Sequence, residues 1–102
     1  MEIDFNVNGE NIFISMIGEL DEATSDFTRK TIDKKLSGNY YQNVVFNMEN
    51  LKFMDSTGIG VLLGRYKLIK KYGGNVFIAG VNKQIDKVLS MSGIYSIMRK
   101  IS

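Results

Sequence analysis

Two short apolar, β-rich runs, Val44–Met48 and Val76–Ala79, bracket a stretch whose apolar residues recur at helical spacing, and this alternation leaves few folds open. Ile59, Leu62, Leu63, Tyr66 and Ile69 follow the i, i+3, i+4, i+7 stripe of an amphipathic helix, which the spacing carries from about Gly58 to Tyr72. Gly73-Gly74 ends it. A strand, a helical crossover and a second strand read as a βαβ unit, so the two strands should run parallel in one sheet.

The remaining elements attach to this unit. Ile3, Phe5 and Val7 alternate with polar residues, the period-2 signature of a strand with one wet face. Asn8-Gly9 supplies a tight turn, and Ile12 to Ile17 forms the more buried second strand of a hairpin, ended by Gly18. Asp21 can cap a helix from Glu22 to Leu36 with a thin stripe of Ala23, Phe27, Ile32 and Leu36, stopped by Ser37-Gly38-Asn39. A short loop through Asn50 leads to Phe53-Met54 and the central helix. A third helix, about Gln84 to Met91, turns Ile85, Val88 and Leu89 inward. Ser92-Gly93 breaks it, and Ile94 to Ile101 reads as a turn and a short final strand or helix. The order β-β-α-β-α-β-α predicts an α/β layer fold, with helices packed on a mixed sheet.

Composition bounds the function. A chain of 102 residues is one domain, and 44% hydrophobic residues suffice for a core. There is no Cys and no His, which removes the common zinc sites, Ser-His and Cys-His nucleophile pairs and the usual neutral-pH base. The acids are scattered over separate elements, so neither catalysis nor a bound metal is expected. A net charge of +2 does not argue for nucleic acid or an anionic membrane. No apolar run approaches a bilayer span and the N-terminus lacks a signal-peptide layout, so the expected compartment is the cytoplasm.

One segment exceeds what packing needs: Phe53-Met54-Asp55-Ser56-Thr57-Gly58-Ile59-Gly60 sets an acid, two hydroxyls and two glycines at a strand-to-helix junction. Helix capping by Asp, Ser or Thr explains those residue types without any function. The functional reading is that a hydroxyl at the positive end of a helix dipole can accept a phosphate without unfolding its host. Gly60 and Gly64 are a second oddity, since each costs about 1 kcal/mol relative to Ala in a helix interior. With Val61 and Leu68 they fall largely outside the apolar stripe, so they either meet a partner or pack against a neighbouring element of the chain. Arg65, Lys67, Lys70 and Lys71 form a basic cluster suited to a solvated C-terminal face, and Tyr40-Tyr41 suits loop packing.

Four blocks in order, Gly18-Glu19-Leu20-Asp21, Phe53 through Lys67, Gly73-Gly74 and Met91-Ser92-Gly93-Ile94, resemble the STAS-domain anti-sigma factor antagonists over nearly the whole chain. The Asp-Ser-Thr-Gly-Ile-Gly block is highly specific, and Gly64-Arg65-Tyr66-Lys67 leans towards the sporulation branch, which controls the forespore sigma factor of endospore-forming bacteria. The resemblance implies a single STAS domain over 1–102, a transcription regulator that works by partner switching. It implies that the anti-sigma factor, an ATP-dependent serine kinase, phosphorylates Ser56. The unphosphorylated form would bind that kinase and free the sigma factor, and a serine phosphatase would reset the cycle. ATP belongs to the kinase, and no cofactor is implied for this chain. Asp21 would lie beside Ser56 on the docking surface, with Asp55, Thr57, Gly58, Gly60, Val61 and Gly64. Family members usually continue into a further strand and helix, whereas this sequence stops at Ser102, so the terminal helix is expected to be short or missing.

Three other readings compete. A general-stress antagonist, or a STAS module of another signalling complex, would keep the fold and change the circuit. A receiver-like phosphoacceptor would use Asp55, but needs an acidic pair for Mg²⁺ after the first strand, where residues 7–18 offer only Glu10. A STAS module holding a nucleotide or lipid lacks a phosphate-cradling glycine loop of the P-loop kind.

Overall fold

The computed structural model describes residues 1–101; Ser102 lies outside them. The elements are β1 (Glu2–Asn8), β2 (Asn11–Leu20), α1 (Glu22–Leu36), β3 (Asn43–Asn47), β4 (Leu51–Met54), α2 (Ser56–Lys71), β5 (Asn75–Ala79), α3 (Lys83–Ser92) and β6 (Arg99–Ile101). They form a six-stranded mixed sheet in the order β1-β2-β3-β5-β6, with β4 also paired to β2. Among the described residues only β1 and β2 pair antiparallel; β2–β3, β3–β5, β5–β6 and β2–β4 are parallel. The βαβ expectation for β3 and β5 is met, and a 3₁₀ turn at Ile94–Ser96 precedes β6.

Burial follows the pleat. Ile12, Ile14 and Met16 of β2, Val44 and Phe46 of β3, and Val76 and Ile78 of β5 alternate onto one face. There they join Ile32 and Leu36 of α1, Val61, Leu62 and Ile69 of α2, and Ile85 and Leu89 of α3 in one core. Phe13, between two core residues of β2, points to the other face and stays exposed.

The structure departs from the sequence reading in four places. The second strand does not end at Gly18: that residue adopts φ +120°, the register shifts between Gly18 and Glu19, and β2 continues to Leu20 on a new neighbour. That neighbour is β4, a strand the sequence did not announce. Its burial runs buried, exposed, exposed, buried, so four residues give no period-2 signal. On α1, Ala23 and Phe27 are exposed, and Thr28 is buried instead with Ile32 and Leu36. Thr28 tolerates burial because its hydroxyl donates to Thr24 O at 2.9 Å. On α2 the buried residues are Gly58, Val61, Leu62, Arg65 and Ile69, while Ile59, Leu63 and Tyr66 are only half-buried. The buried stripe is thus turned roughly 80° from the expected one, at 3.6 residues per turn. A glycine and an arginine on the buried face carry no apolar signal, which displaced the reading.

Arg65 accordingly leaves the expected solvated cluster. Its side chain is 9% exposed, and Nε stands 2.8 Å from Asp33 Oδ1 of α1. Neither atom is aligned for a straight hydrogen bond, so the contact is an ion pair; Nη1 also donates to Val61 O at 3.3 Å. Burial pulls the guanidinium below its ordinary pKa, and Asp33 opposes that pull. The pair ties α1 to α2.

Candidate functional site

Parallel pairing builds the site. Leu20 at the end of β2 stands opposite Met54 at the end of β4, so the next residues, Asp21 and Asp55, begin two helices from neighbouring positions. Asp55 N–H donates to Leu20 O at 3.2 Å and links the junctions directly. Asp21 caps α1 through a capping box: Oδ1 accepts from Thr24 N–H, and Thr24 Oγ1 accepts from Asp21 N–H, each at 3.1 Å. Asp55 caps α2, its Oδ1 accepting from Thr57 N–H at 2.9 Å. Two positive helix ends therefore lie together, each with one carboxylate on it.

Ser56 is the first residue of α2 and is exposed. Its chain neighbours Asp55 and Thr57 are half-buried, as is Asp21 at the start of α1. Gly60 and Gly64 follow Ser56 at i+4 and i+8, on the same face of the helix. A Cβ built on either glycine meets nothing within 4 Å, so no element of the chain packs there among the described residues. Gly58 and Val61 do not share this surface. A Cβ on Gly58 would lie 2.6 Å from Met54 Cγ and 3.1 Å from Leu20 Cδ2, so this glycine exists to let α2 approach the strand ends. Val61 is 4% exposed and belongs to the core. Both were expected on the docking surface, and burial removes them from it; a lysine at position 61 would bury a charge and damage the fold.

Two residues of this region make contacts with β4 that the sequence did not announce. Gln84 Oε1 accepts from Met54 N–H at 3.1 Å, and its Nε2 donates to Met54 O at 2.8 Å. Asn82 caps α3 through Ile85 N–H at 2.8 Å and also donates to Lys52 O at 3.2 Å. Asn82 was recognisable as a capping type, but contacts with β4 were not legible while β4 itself was not.

A cavity of about 590 Å³ lies at the other end of the helices, lined by Leu36, Tyr40, Tyr41, Leu68 and Tyr72 among others. Asp55 is engaged as a cap, and among the described residues no three His, Cys, Asp or Glu side chains converge on a cation site.

Residues 2–102 match the family described as the STAS domain. An anti-sigma F factor antagonist of Paenibacillus polymyxa is 38% identical over 98 residues, covering 96% of this chain and 84% of that protein. An anti-sigma-B factor antagonist of Bacillus subtilis is 24% identical over 99 residues, covering 96% of this chain and 88% of that protein. Among solved structures, the anti-sigma factor antagonist SpoIIAA in its unphosphorylated form is 26% identical with a TM-score of 0.84, covering 99% of this chain and 89% of that one. The Bacillus SpoIIAA in its phosphorylated form is 26% identical with a TM-score of 0.74, covering 99% and 92%. The family match spans nearly the whole chain, and the mixed sheet with its three helices is the fold of SpoIIAA. The chain therefore belongs to the STAS domain family.

Proposed function

We propose that this protein is an anti-sigma factor antagonist switched by phosphorylation of Ser56. The observation that carries the reading is an exposed serine on the capped first turn of α2, at a junction that adjoins the capped start of α1, in a chain similar to a protein solved with and without phosphate. The bare hydroxyl form binds an anti-sigma factor serine kinase and frees the sigma factor. The kinase then transfers the γ-phosphoryl group of ATP: the bond to the β-phosphate oxygen breaks, a bond to Ser56 Oγ forms, and the hydroxyl proton passes to the kinase. A serine phosphatase hydrolyses the phosphoserine and restores binding. The higher identity to the sigma F antagonist than to the sigma-B antagonist favours the sporulation circuit. The docking surface comprises Asp21, Asp55, Thr57, Gly60 and Gly64 around Ser56. On this reading the chain carries no cofactor, nucleic acid or membrane partner and acts in the cytoplasm; no helix among the described residues is long and apolar enough to cross a membrane.

Incubation with the cognate anti-sigma factor and ATP, followed by phosphosite mapping, tests the proposal. One phosphate on Ser56 is expected, with none in Ser56→Ala. Phosphate on Asp55 or Thr57 in the parent protein would overturn it.

A further inference from the structure

β4 has an open side, and it ends one residue before the Asp55 cap. In a parallel ladder the N–H and C=O of one residue point to the same side, and those of the next residue to the other. Asp55 N–H turns towards β2, where it meets Leu20 O at 3.2 Å. Met54 N–H and C=O therefore face away from β2, where a further strand would lie. Among the described residues no strand pairs with that side of β4. Gln84, in the first turn of α3, occupies the place. Its amide meets both Met54 groups, at 3.1 Å and 2.8 Å. Upstream, where the register of β4 against β2 shifts, the carbonyls of Lys52 and Leu51 both meet Asn82 Nδ2, at 3.2 and 3.4 Å. A primary amide carries the same donor and acceptor as a peptide unit, so Asn and Gln alone among side chains can satisfy both backbone groups in this way.

We infer that Gln84 is a positioning residue for Ser56. Its amide fixes the end of β4 and hence the direction in which the first turn of α2 presents the Ser56 hydroxyl to a kinase. The inference rests on the function proposed above for Ser56. Only Asp55 separates the clamped Met54 from Ser56. A strand end with unpaired backbone frays, and fraying here would be passed directly to the acceptor. Phosphoryl transfer is sensitive to that, because a misplacement of about 1 Å can cost on the order of 10²-fold in rate. Gln84 itself is exposed, so exchanging it opens no hole in the core.

The test uses the full chain with Gln84→Met, which keeps the length of the side chain and loses both hydrogen bonds. Gln84→Glu is the second variant, keeping the acceptor but setting a carboxylate against Met54 O. In Gln84→Met the Met54 amide should exchange with solvent roughly ten- to thirtyfold faster, as two lost hydrogen bonds imply. The kcat for phosphorylation should fall by about tenfold or more. KM should move little, because the docking residues are untouched, and the melt should stay cooperative. Gln84→Glu should be slowed as well. A Gln84→Met protein with parental Met54 exchange or parental kcat would overturn the inference, provided the parent is phosphorylated. A parent that takes no phosphate would sink the proposed function and this inference together.

Discussion

Gly58 and Gly60 stand two positions apart on α2 and answer opposite needs. Gly58 has no room: its missing Cβ would press on Met54 and Leu20, the residues that end β4 and β2. Gly58→Ala should therefore destabilise the protein by about 1–3 kcal/mol, the usual cost of overpacking. Gly60 has nothing but space, so Gly60→Ala should stabilise it by about 0.5–1 kcal/mol through helix propensity. It should also weaken binding to the anti-sigma factor, because a methyl group then stands on the proposed docking face. Denaturant unfolding of both variants, with a binding titration for Gly60→Ala, checks the pair; equal shifts in stability would refute the division. The sequence marked these glycines as unusual but could not say which had neighbours, since that depends on Leu20 and Met54 arriving from strands distant in the chain. Val61 was misplaced for the same kind of reason. Its surroundings are set by tertiary packing, whereas Ser56 and the two aspartates were legible because a cap is a local device.

Between elements, two side-chain ties carry what the strand and helix patterns did not reveal. The Asp33–Arg65 pair joins α1 to α2 with Arg65 9% exposed and Asp33 39% exposed in their side chains. Asp33→Asn leaves the buried guanidinium without its counter-charge and should cost about 1–3 kcal/mol, less than a fully buried pair because water reaches Asp33. The double variant Asp33→Leu with Arg65→Met should recover most of that loss. A double-mutant cycle in denaturant measures it, and two neutral single variants would contradict it. The second tie holds α3 to the end of the chain: Tyr95 Oη donates to Asp86 Oδ1 at 2.6 Å, and Lys100 Nζ lies 2.9 Å from the same oxygen. The Tyr95 hydroxyl first, and then Lys100, hold the Asp86 carboxyl below its ordinary value. Burial first, and then Asp86, push the Tyr95 hydroxyl above its own. A depressed carboxyl stabilises the fold above its unfolded pKa, and that stability is lost as pH falls through the folded value. The melting temperature should thus decline below about pH 4, more steeply in the parent than in Asp86→Asn; equal slopes would remove the tie from the account. The periodic elements were readable from the sequence because each has its own pattern. β4 was not, and neither was the orientation of α2, because four residues without alternation and a buried arginine look like surface.

At the scale of the whole molecule, the claim is that one phosphate changes binding and leaves the fold alone. It adds about −1.5 to −2 charges at neutral pH. Those charges meet the positive end of α2, an interaction typically worth about 0.3–1 kcal/mol. Asp55 and Asp21, on the same two helix ends, oppose it, so the effect on folding should be small in either direction. At the interface a bare hydroxyl is replaced by a dianion that must be desolvated against a surface shaped for the hydroxyl, a large penalty when no counter-charge is supplied. Carrying a two-state equilibrium from 99:1 to 1:99 takes a factor of about 10⁴ in affinity. The decisive measurement is the dissociation constant of the anti-sigma factor complex with unmodified and Ser56-phosphorylated protein, each paired with a melting curve. The expected result is an affinity lower by about 10³–10⁴-fold for the phosphorylated form, with both forms melting cooperatively at nearly the same temperature. Equal dissociation constants, or a phosphorylated protein without a cooperative melt, would contradict the account.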